Sequence, residues 1–193
     1  MKLAVVSAGL SQPSSTRLLA DRLAAASAAR LPGAEIEVIE LRDLAVDIAN
    51  NLVTGFPAAK LRRAVEAVTS ADGLIAVTPI FTASYSGLFK SFFDVIENDA
   101  LAGKPVLIAA TGGTARHSLA LEHALRPMFA YLRAIVVPTA VYAASEDWGA
   151  EGLPERVERA AGELAGLVGG ARPVIQEDDE VVPFEQQLAA LRP

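Results

Sequence analysis

The sequence predicts an α/β fold in which a parallel sheet is covered by helices on both faces. Short apolar runs of strand length alternate with longer segments whose apolar residues recur at helical spacing. Strands alternating with helices in this way build a parallel sheet. In addition, loops rich in hydroxyls and glycine follow the first, third and fourth strand runs, at the strand ends where open α/β sheets carry ligands.

The first strand spans residues 2–6 and leads to a helix over 16–30, where Leu19, Leu23 and Ala26 share a face. Ile36, Val38 and Leu41 mark the second strand, and Glu35, Glu37 and Glu40 give it a solvated side or an edge position. A loop is expected over 43–55, then a helix over 57–69 with Leu61, Ala64, Val65 and Val68 at helical spacing. The third strand is 73–77, followed by a loop through Pro79 and a helix over 87–96. Residues 106–109 form the fourth strand and 115–132 a long helix. Pro127 lies inside that helix, where its ring clashes with the His123 carbonyl, so a kink or π-bulge is expected there. The fifth strand begins at 135–137 and extends toward Tyr142. The last helix, 154–168, carries Val157, Ala161, Leu164 and Val168 on one stripe.

A chain of 193 residues with 52% hydrophobic content is ample for one core. We expect a single domain over 1–170 and a C-terminal arm over 171–193, ending in a short helix whose Phe184, Leu188 and Leu191 pack on this subunit or a neighbour. The run Glu177-Asp178-Asp179-Glu180 reads as a solvated tail. A net charge of -6 lacks the footprint of a nucleic-acid binder. The absence of cysteine excludes a disulfide scaffold, a thiolate metal site and a redox thiol. The chain enters a strand within two residues, which argues against a signal peptide, and no apolar run approaches the roughly 18 residues of a membrane span. A cytoplasmic protein is the expectation.

The loop Ser7-Ala8-Gly9-Leu10-Ser11-Gln12-Pro13-Ser14-Ser15-Thr16 sets five hydroxyls and a glycine ahead of a helix, four of them from Ser11 onward. First-turn N–H groups lack intrahelical partners, so this is either a phosphate cradle or an ordinary N-capped helix start. The segment Thr78-Pro79-Ile80-Phe81-Thr82-Ala83-Ser84-Tyr85-Ser86-Gly87 offers a stiff exit from the sheet, small hydroxyls and aromatic faces. It suits a flat ring with polar edges, and it also reads as a plain strand-to-helix connection. The third loop, Ala110-Thr111-Gly112-Gly113-Thr114-Ala115-Arg116, lets backbone amides approach a ligand with no Cβ in the way. Three such loops at alternate strand ends point together to one ligand site.

Neither a GxGxxG after the first strand nor a GxxxxGK[ST] is present. His117 and His123, six residues apart on a helix, face different ways, so no shared metal site is expected. No nucleophile–base–acid set is evident.

The order of these segments resembles the NAD(P)H-dependent FMN reductases of the flavodoxin-like superfamily. It is most similar to the reductase components of two-component flavin-dependent monooxygenases. The resemblance rests on Pro13-Ser14-Ser15-Thr16, Thr78-Pro79, Ala83-Ser84-Tyr85-Ser86-Gly87-Leu88-Phe89-Lys90, Ala110-Thr111-Gly112-Gly113-Thr114 and Ala124-Leu125-Arg126-Pro127, across about residues 2–145. It implies a three-layer sandwich with a five-stranded parallel sheet in the order 2-1-3-4-5, whose ligand lies at the ends of strands 1, 3 and 4. It further implies FMN with NADPH or NADH as hydride donor, and no acid–base catalyst, since hydride transfer needs stacked rings rather than a proton shuttle.

By the same resemblance, Ser11, Ser14, Ser15 and Thr16 hold the FMN phosphate. Pro79, Ile80, Phe81 and Thr82 line the isoalloxazine and ribityl chain with Ser84 close by. Thr111, Gly112, Gly113 and Thr114 face the ring edge that gains negative charge. Arg116 is either a nicotinamide-phosphate contact or a solvated helix-start arginine. Many members carry an Arg in the first loop where this chain has Ser11, which implies looser FMN retention. In the sulfonate-linked relatives a tyrosine-bearing π-helix sits at a subunit interface, and His123 takes that tyrosine's place. A homodimer or homotetramer and a monooxygenase partner are implied. The rival readings are a quinone or azo reductase with tightly bound FMN, a flavodoxin-like electron carrier, and a flavin-less regulatory domain. Carriers sandwich the ring between aromatics on two loops, and the 110–115 loop has none.

Overall fold

The computed structural model describes residues 1–150 and 152–170. The expected arm over 171–193, with its acidic run and short helix, lies outside the described residues. Strand β1 (Lys2–Ser7) lies between β2 (Glu35–Glu40) and β3 (Gly73–Phe81), and β3 pairs on its other side with β5 (Pro105–Gly112), all in parallel. Beyond β5 lie two short strands, β6 (Ile135–Val136) and β7 (Val141–Ala144), both parallel to it. They are the two halves of the expected fifth strand, split where Pro138 has no N–H to give the ladder. The backbone order is thus the doubly wound 2-1-3-4-5. The count rises to seven strands because of that split and because β3 turns back on itself as an antiparallel hairpin with β4 (Ser84–Tyr85). As expected, β2 is an edge strand and the least buried of the long strands.

The period of two along each strand sorts the core into two layers. Leu3, Val5, Ile75, Val77, Leu107 and Ala109 face α1 (Ser15–Arg30) and α6 (Gly152–Gly169). Ala4, Val6, Leu74, Ala76, Val106 and Ile108 face the other helices: α2 (Ala45–Thr54), α3 (Ala59–Ser70), α4 (Gly87–Asp94) and α5 (Arg126–Tyr131). On that second side Phe89, Phe92, Phe93 and Phe129 form a buried aromatic cluster with centroids 4.8–6.3 Å apart.

Two element expectations are corrected. Residues 43–55 are not a loop: a 3-10 turn (Leu41–Leu44) runs into α2, which ends at Gly55 with φ 76. Leu41, Leu44 and Ile48 are buried on one stripe, spaced three and four apart. The long helix over 115–132 is also not continuous. It consists of a 3-10 turn (Ala115–His117), a π-helical turn (Leu121–Leu125) and α5. Pro127 has no N–H for the His123 carbonyl, and the Arg126 N–H reaches back five residues to Leu121. The irregularity expected near His123 is therefore this π-turn.

Candidate functional site

The first loop leaves β1 with the Ala8 N–H still bonded to the Val77 carbonyl at 2.9 Å. It passes a cis Gln12–Pro13 bond and ends at Ser14, the N-cap of α1. Ser14 has extended backbone, and its Oγ accepts from the Arg17 N–H at 3.2 Å, which leaves the hydroxyl hydrogen free. Ser14 folds back over Gly9, where a Cβ would come within 2.1 Å of Ser14 Oγ. Ser15 and Thr16 open the helix, so their N–H groups have no intrahelical partner. Thr16 is buried, and its Oγ1 lies 2.8 Å from Thr111 Oγ1 at the end of β5. One hydroxyl of that pair donates to the other, whose own O–H stays available for a ligand.

The second loop is a hairpin. β3 runs on to Phe81, and Thr82 and Ala83 turn with φ 49 and 65 before β4. Two left-handed residues match a two-residue hairpin turn to the twist of its strands, at a cost for residues that carry a Cβ. Buried Thr78 braces its base, donating to the Pro79 carbonyl at 2.9 Å and accepting from the Ser86 N–H at 3.1 Å. Ser86 in turn caps α4 by accepting from the Phe89 N–H at 3.2 Å.

The third loop is shaped by Tyr142 of β7, whose hydroxyl donates to the Thr114 carbonyl at 2.9 Å. A Cβ on Gly112 would lie 2.1 Å from that hydroxyl oxygen, so the close approach requires glycine. Burial above all, and then Asp147 and Glu146, push the Tyr142 phenol up from its ordinary range. Thr114 Oγ1 accepts weakly from the Arg116 N–H at 3.4 Å.

Ser11, Ser14, Ser15, Thr16, Pro79, Ile80, Phe81, Thr111, Gly112 and Gly113 line one cavity of about 540 Å³ at the carboxyl ends of β1, β3 and β5. Thr82, Ser84, Thr114 and Arg116 stand off its wall: Thr82 at the hairpin tip, Ser84 in β4, and Thr114 and Arg116 at the exposed start of the 3-10 turn. Leu10, Ser145 and Trp148 complete the lining and were missed from sequence. Ser145 and Trp148 come from a fourth loop, the 3-10 turn Ser145–Gly149 after β7. Asp147 fixes that turn, accepting from the Ala144 N–H at 2.7 Å and from Arg156 at 3.0 Å. Trp148 packs on the α1 and α6 side, with the Arg22 guanidinium 5.1 Å from its ring centre. The chain's lone Trp was the available signal, since it falls just past a strand end.

Among the described residues the lining includes no Lys or Arg. Its polar end is made of hydroxyls and backbone amides, and its apolar end of Pro79, Ile80 and Phe81. Among the described residues no cluster of His, Asp or Glu could hold a metal ion. None of the described helices is long and apolar enough to cross a membrane.

The model of the NADPH-dependent FMN reductase family matches residues 1–149. This chain belongs to that family. An FMN reductase (NADPH) of Pseudomonas aeruginosa is 40% identical over 174 residues, covering 88% of this chain and 93% of that protein. An NADH-dependent FMN reductase, SfnF, of Pseudomonas fluorescens is 38% identical, with 88% and 92% covered. Among solved structures, an oxidoreductase from Corynebacterium diphtheriae superposes with a TM-score of 0.84 at 48% identity, covering 87% of this chain and 96% of the other. The apo form of an NADH:FMN oxidoreductase, EmoB, gives 0.74 at 32% identity, with 85% and 88% covered. An archaeal flavodoxin, at 14% identity and a TM-score of 0.62 over 88% and 100% of the two chains, shares the fold alone. The FMN reductase fold of this chain is thus flavodoxin-like, with helices on both faces of the sheet.

Proposed function

We propose that this chain is an NAD(P)H-dependent FMN reductase that moves a hydride from NADPH or NADH to FMN in the cavity between β1, β3 and β5. The observation that carries the reading is the Thr16–Thr111 hydroxyl contact at 2.8 Å, which joins a helix-start anion cradle to a Gly-Gly loop in a single cavity. The cavity is of cofactor-site size, roughly 300–1,000 Å³, and its hydroxyl and amide end and apolar end match the phosphate and ring of FMN. When bound there, FMN supplies the hydride-accepting ring and the reduced nicotinamide supplies the hydride.

The chain's share is position and electrostatics. Ser11, Ser14, Ser15 and Thr16 would hold the phosphate with hydroxyl donors and first-turn N–H groups. Pro79, Ile80 and Phe81 would support one face of the ring, on a hairpin whose shape Thr82 and Ser84 set. Thr111, Gly112, Gly113 and Thr114 would turn backbone donors toward the ring edge that gains negative charge, the strongest rate contribution available without an acid or base. Arg116, exposed beside that loop, would meet a nicotinamide phosphate.

A cradle without a cation favours a flavin that is released, and the final acceptor we infer is a flavin-dependent monooxygenase. We infer a homodimer or homotetramer as well; exposed Val53 and Phe56, three residues apart at the end of α2, would be covered in such an assembly. The test is absorbance at 340 nm with flavin-stripped protein, either nicotinamide, and increasing FMN. Oxidation that rises and saturates with FMN is expected. No oxidation with either donor, despite bound FMN, would leave an electron carrier instead. Yellow colour that survives gel filtration would favour a reductase with resident FMN.

A further inference from the structure

Among the described residues the polar end of the cavity has no cation on its wall, yet two guanidiniums lie next to its first loop, each beside carboxylates. Arg17, in the first turn of α1, donates from Nε to Asp21 Oδ1 at 2.8 Å and from Nη1 to Glu40 Oε1 at 2.5 Å. Arg42, in the 3-10 turn after β2, lies 3.5 Å from Glu40 Oε2 and 3.5 Å from Asp43 Oδ1. Glu40 thus accepts a hydrogen bond from Arg17 with one oxygen and lies within ion-pair distance of Arg42 with the other, although the buried Arg42 Nε makes no hydrogen bond. It is the last residue of β2 and pairs in register with Ser7, one strand spacing from where the first loop begins. That loop borders the same cluster: with its amide oxygen turned toward Arg42, Gln12 would accept from that guanidinium.

The side chains of Glu40 and Arg42 are only 22% and 20% exposed, so solvent screens this contact in part. Two cations against three carboxylates (Asp21, Glu40 and Asp43) leave the cluster net negative beside a site shaped for an anion. The hydrogen bond to Asp21, followed by the charges of Asp21 and Glu40, holds the Arg17 guanidinium above its ordinary pKa despite partial burial.

We propose that Glu40 is a positioning residue that sets flavin affinity through the phosphate, by holding Arg17 and Arg42 away from the Ser14–Thr16 turn so that FMN stays dissociable. This rests on the reading that the FMN phosphate seats on that turn. Arg17 follows Thr16 directly, and its own N–H already donates to Ser14 Oγ. Rotation about its side-chain bonds alone would bring its forked donors to a phosphate there, the geometry guanidinium suits best. Affinity for a phosphorylated flavin then depends on charges that touch no ligand.

The experiment titrates wild type, Glu40→Gln and Asp21→Asn with FMN and with riboflavin, which lacks the phosphate. Binding is read from quenching of Trp148, the only Trp of the chain and part of the cavity wall. Glu40→Gln should tighten FMN about three- to tenfold, the range between an exposed ion pair and a charge-assisted hydrogen bond, with a steeper salt dependence. Riboflavin affinity should stay within about twofold, since no phosphate is there to answer the freed charge. Asp21→Asn, on an exposed pair one helical turn along α1, should tighten FMN less, and it settles the matter if Glu40→Gln fails to fold. Adding Arg17→Ala to Glu40→Gln should remove most of the gain. Unchanged or weaker FMN binding in the folded variants, or equal tightening of riboflavin, overturns the proposal while wild-type FMN binding keeps the reductase reading. A wild type that binds FMN no better than riboflavin overturns the phosphate seat and this proposal together.

Discussion

Gly112 stands where a methyl group would meet the Tyr142 hydroxyl oxygen at 2.1 Å and its ring carbon at 3.2 Å. Gly112→Ala should therefore push the third loop away from β7 and cost about 1–3 kcal/mol of stability, as overpacking does. The cost should shrink when Tyr142→Phe removes the oxygen, a coupling that urea denaturation of the double-mutant cycle measures. Equal costs in both backgrounds would show that the loop, and not the tyrosine, sets the need for glycine. Ala83 poses the opposite case, an L-residue held at φ 65 in a two-residue turn. Ala83→Gly should gain up to about 1 kcal/mol, because the left-handed penalty of about 1–2 kcal/mol outweighs the extra freedom glycine brings to the unfolded chain. A lower urea midpoint for Ala83→Gly would contradict this account of the hairpin. The Ser and Thr hydroxyls of the first loop and both glycines of the third could be read from the sequence, since their residue types announce the chemistry. Trp148 gave a fainter signal, a lone aromatic just past a strand end with no period to support it, and its place on the wall depends on the packing of α1 against α6.

The π-turn Leu121–Leu125 owes its place to a sequence feature and its rigidity to an ion pair. Arg126 donates to Glu122 from Nε at 2.6 Å and from Nη2 at 2.9 Å, and reaches the Val137 and Pro138 carbonyls at 3.0 Å each. It thus fastens the π-turn to the break between β6 and β7. The bond to Arg126 first, against the opposing effect of burial, lowers the Glu122 carboxyl below its ordinary range. A depressed carboxyl contributes stability above its unfolded pKa, about 4.3, and that contribution is lost as pH falls through the folded value. Glu122→Gln should lower stability modestly above about pH 4.5, leave it little changed at low pH where the wild-type carboxyl is protonated, and so flatten the acid limb of a stability-against-pH curve. A wild-type slope there in the variant would show that other carboxylates carry the acid sensitivity. The irregularity at this element was legible because a Pro in mid-helix has one physical consequence. α2 was not legible in the same way: its buried stripe of Leu41, Leu44 and Ile48 is short, while Val46 and Val53 point to solvent. Asp43, Asp47, Asn50 and Asn51 add the polarity of a loop, so the periodic signal was diluted from both sides. The split fifth strand shows a third limit, since Pro138 interrupts the ladder without moving the chain off the sheet.

At the scale of the molecule, the cavity is where both core layers end together. Its walls come from the ends of β1, β3, β5 and β7, with Ile80 packed into the layer under α4 and Trp148 into the layer of α1 and α6. A ligand seated there touches loops from both layers at once, so it binds the native chain and not any partly opened form. Mass action then stabilises the fold by RT ln(1 + [L]/Kd), about 2.7 kcal/mol at a hundredfold excess over Kd. The melting temperature should rise with the logarithm of FMN concentration, and riboflavin should raise it less at equal concentration, because it leaves the Ser14–Thr16 cradle empty. Chloride or sulfate at the ionic strength of the FMN series should not reproduce the rise, since the cradle's hydroxyls and amides are only one end of the contact. A melting temperature unmoved by millimolar FMN would mean that the three loops, though gathered at one cavity, do not act as a flavin site. A rise of equal size with riboflavin would place the binding energy in the ring wall of Pro79, Ile80 and Phe81 and leave the helix start as a plain N-cap.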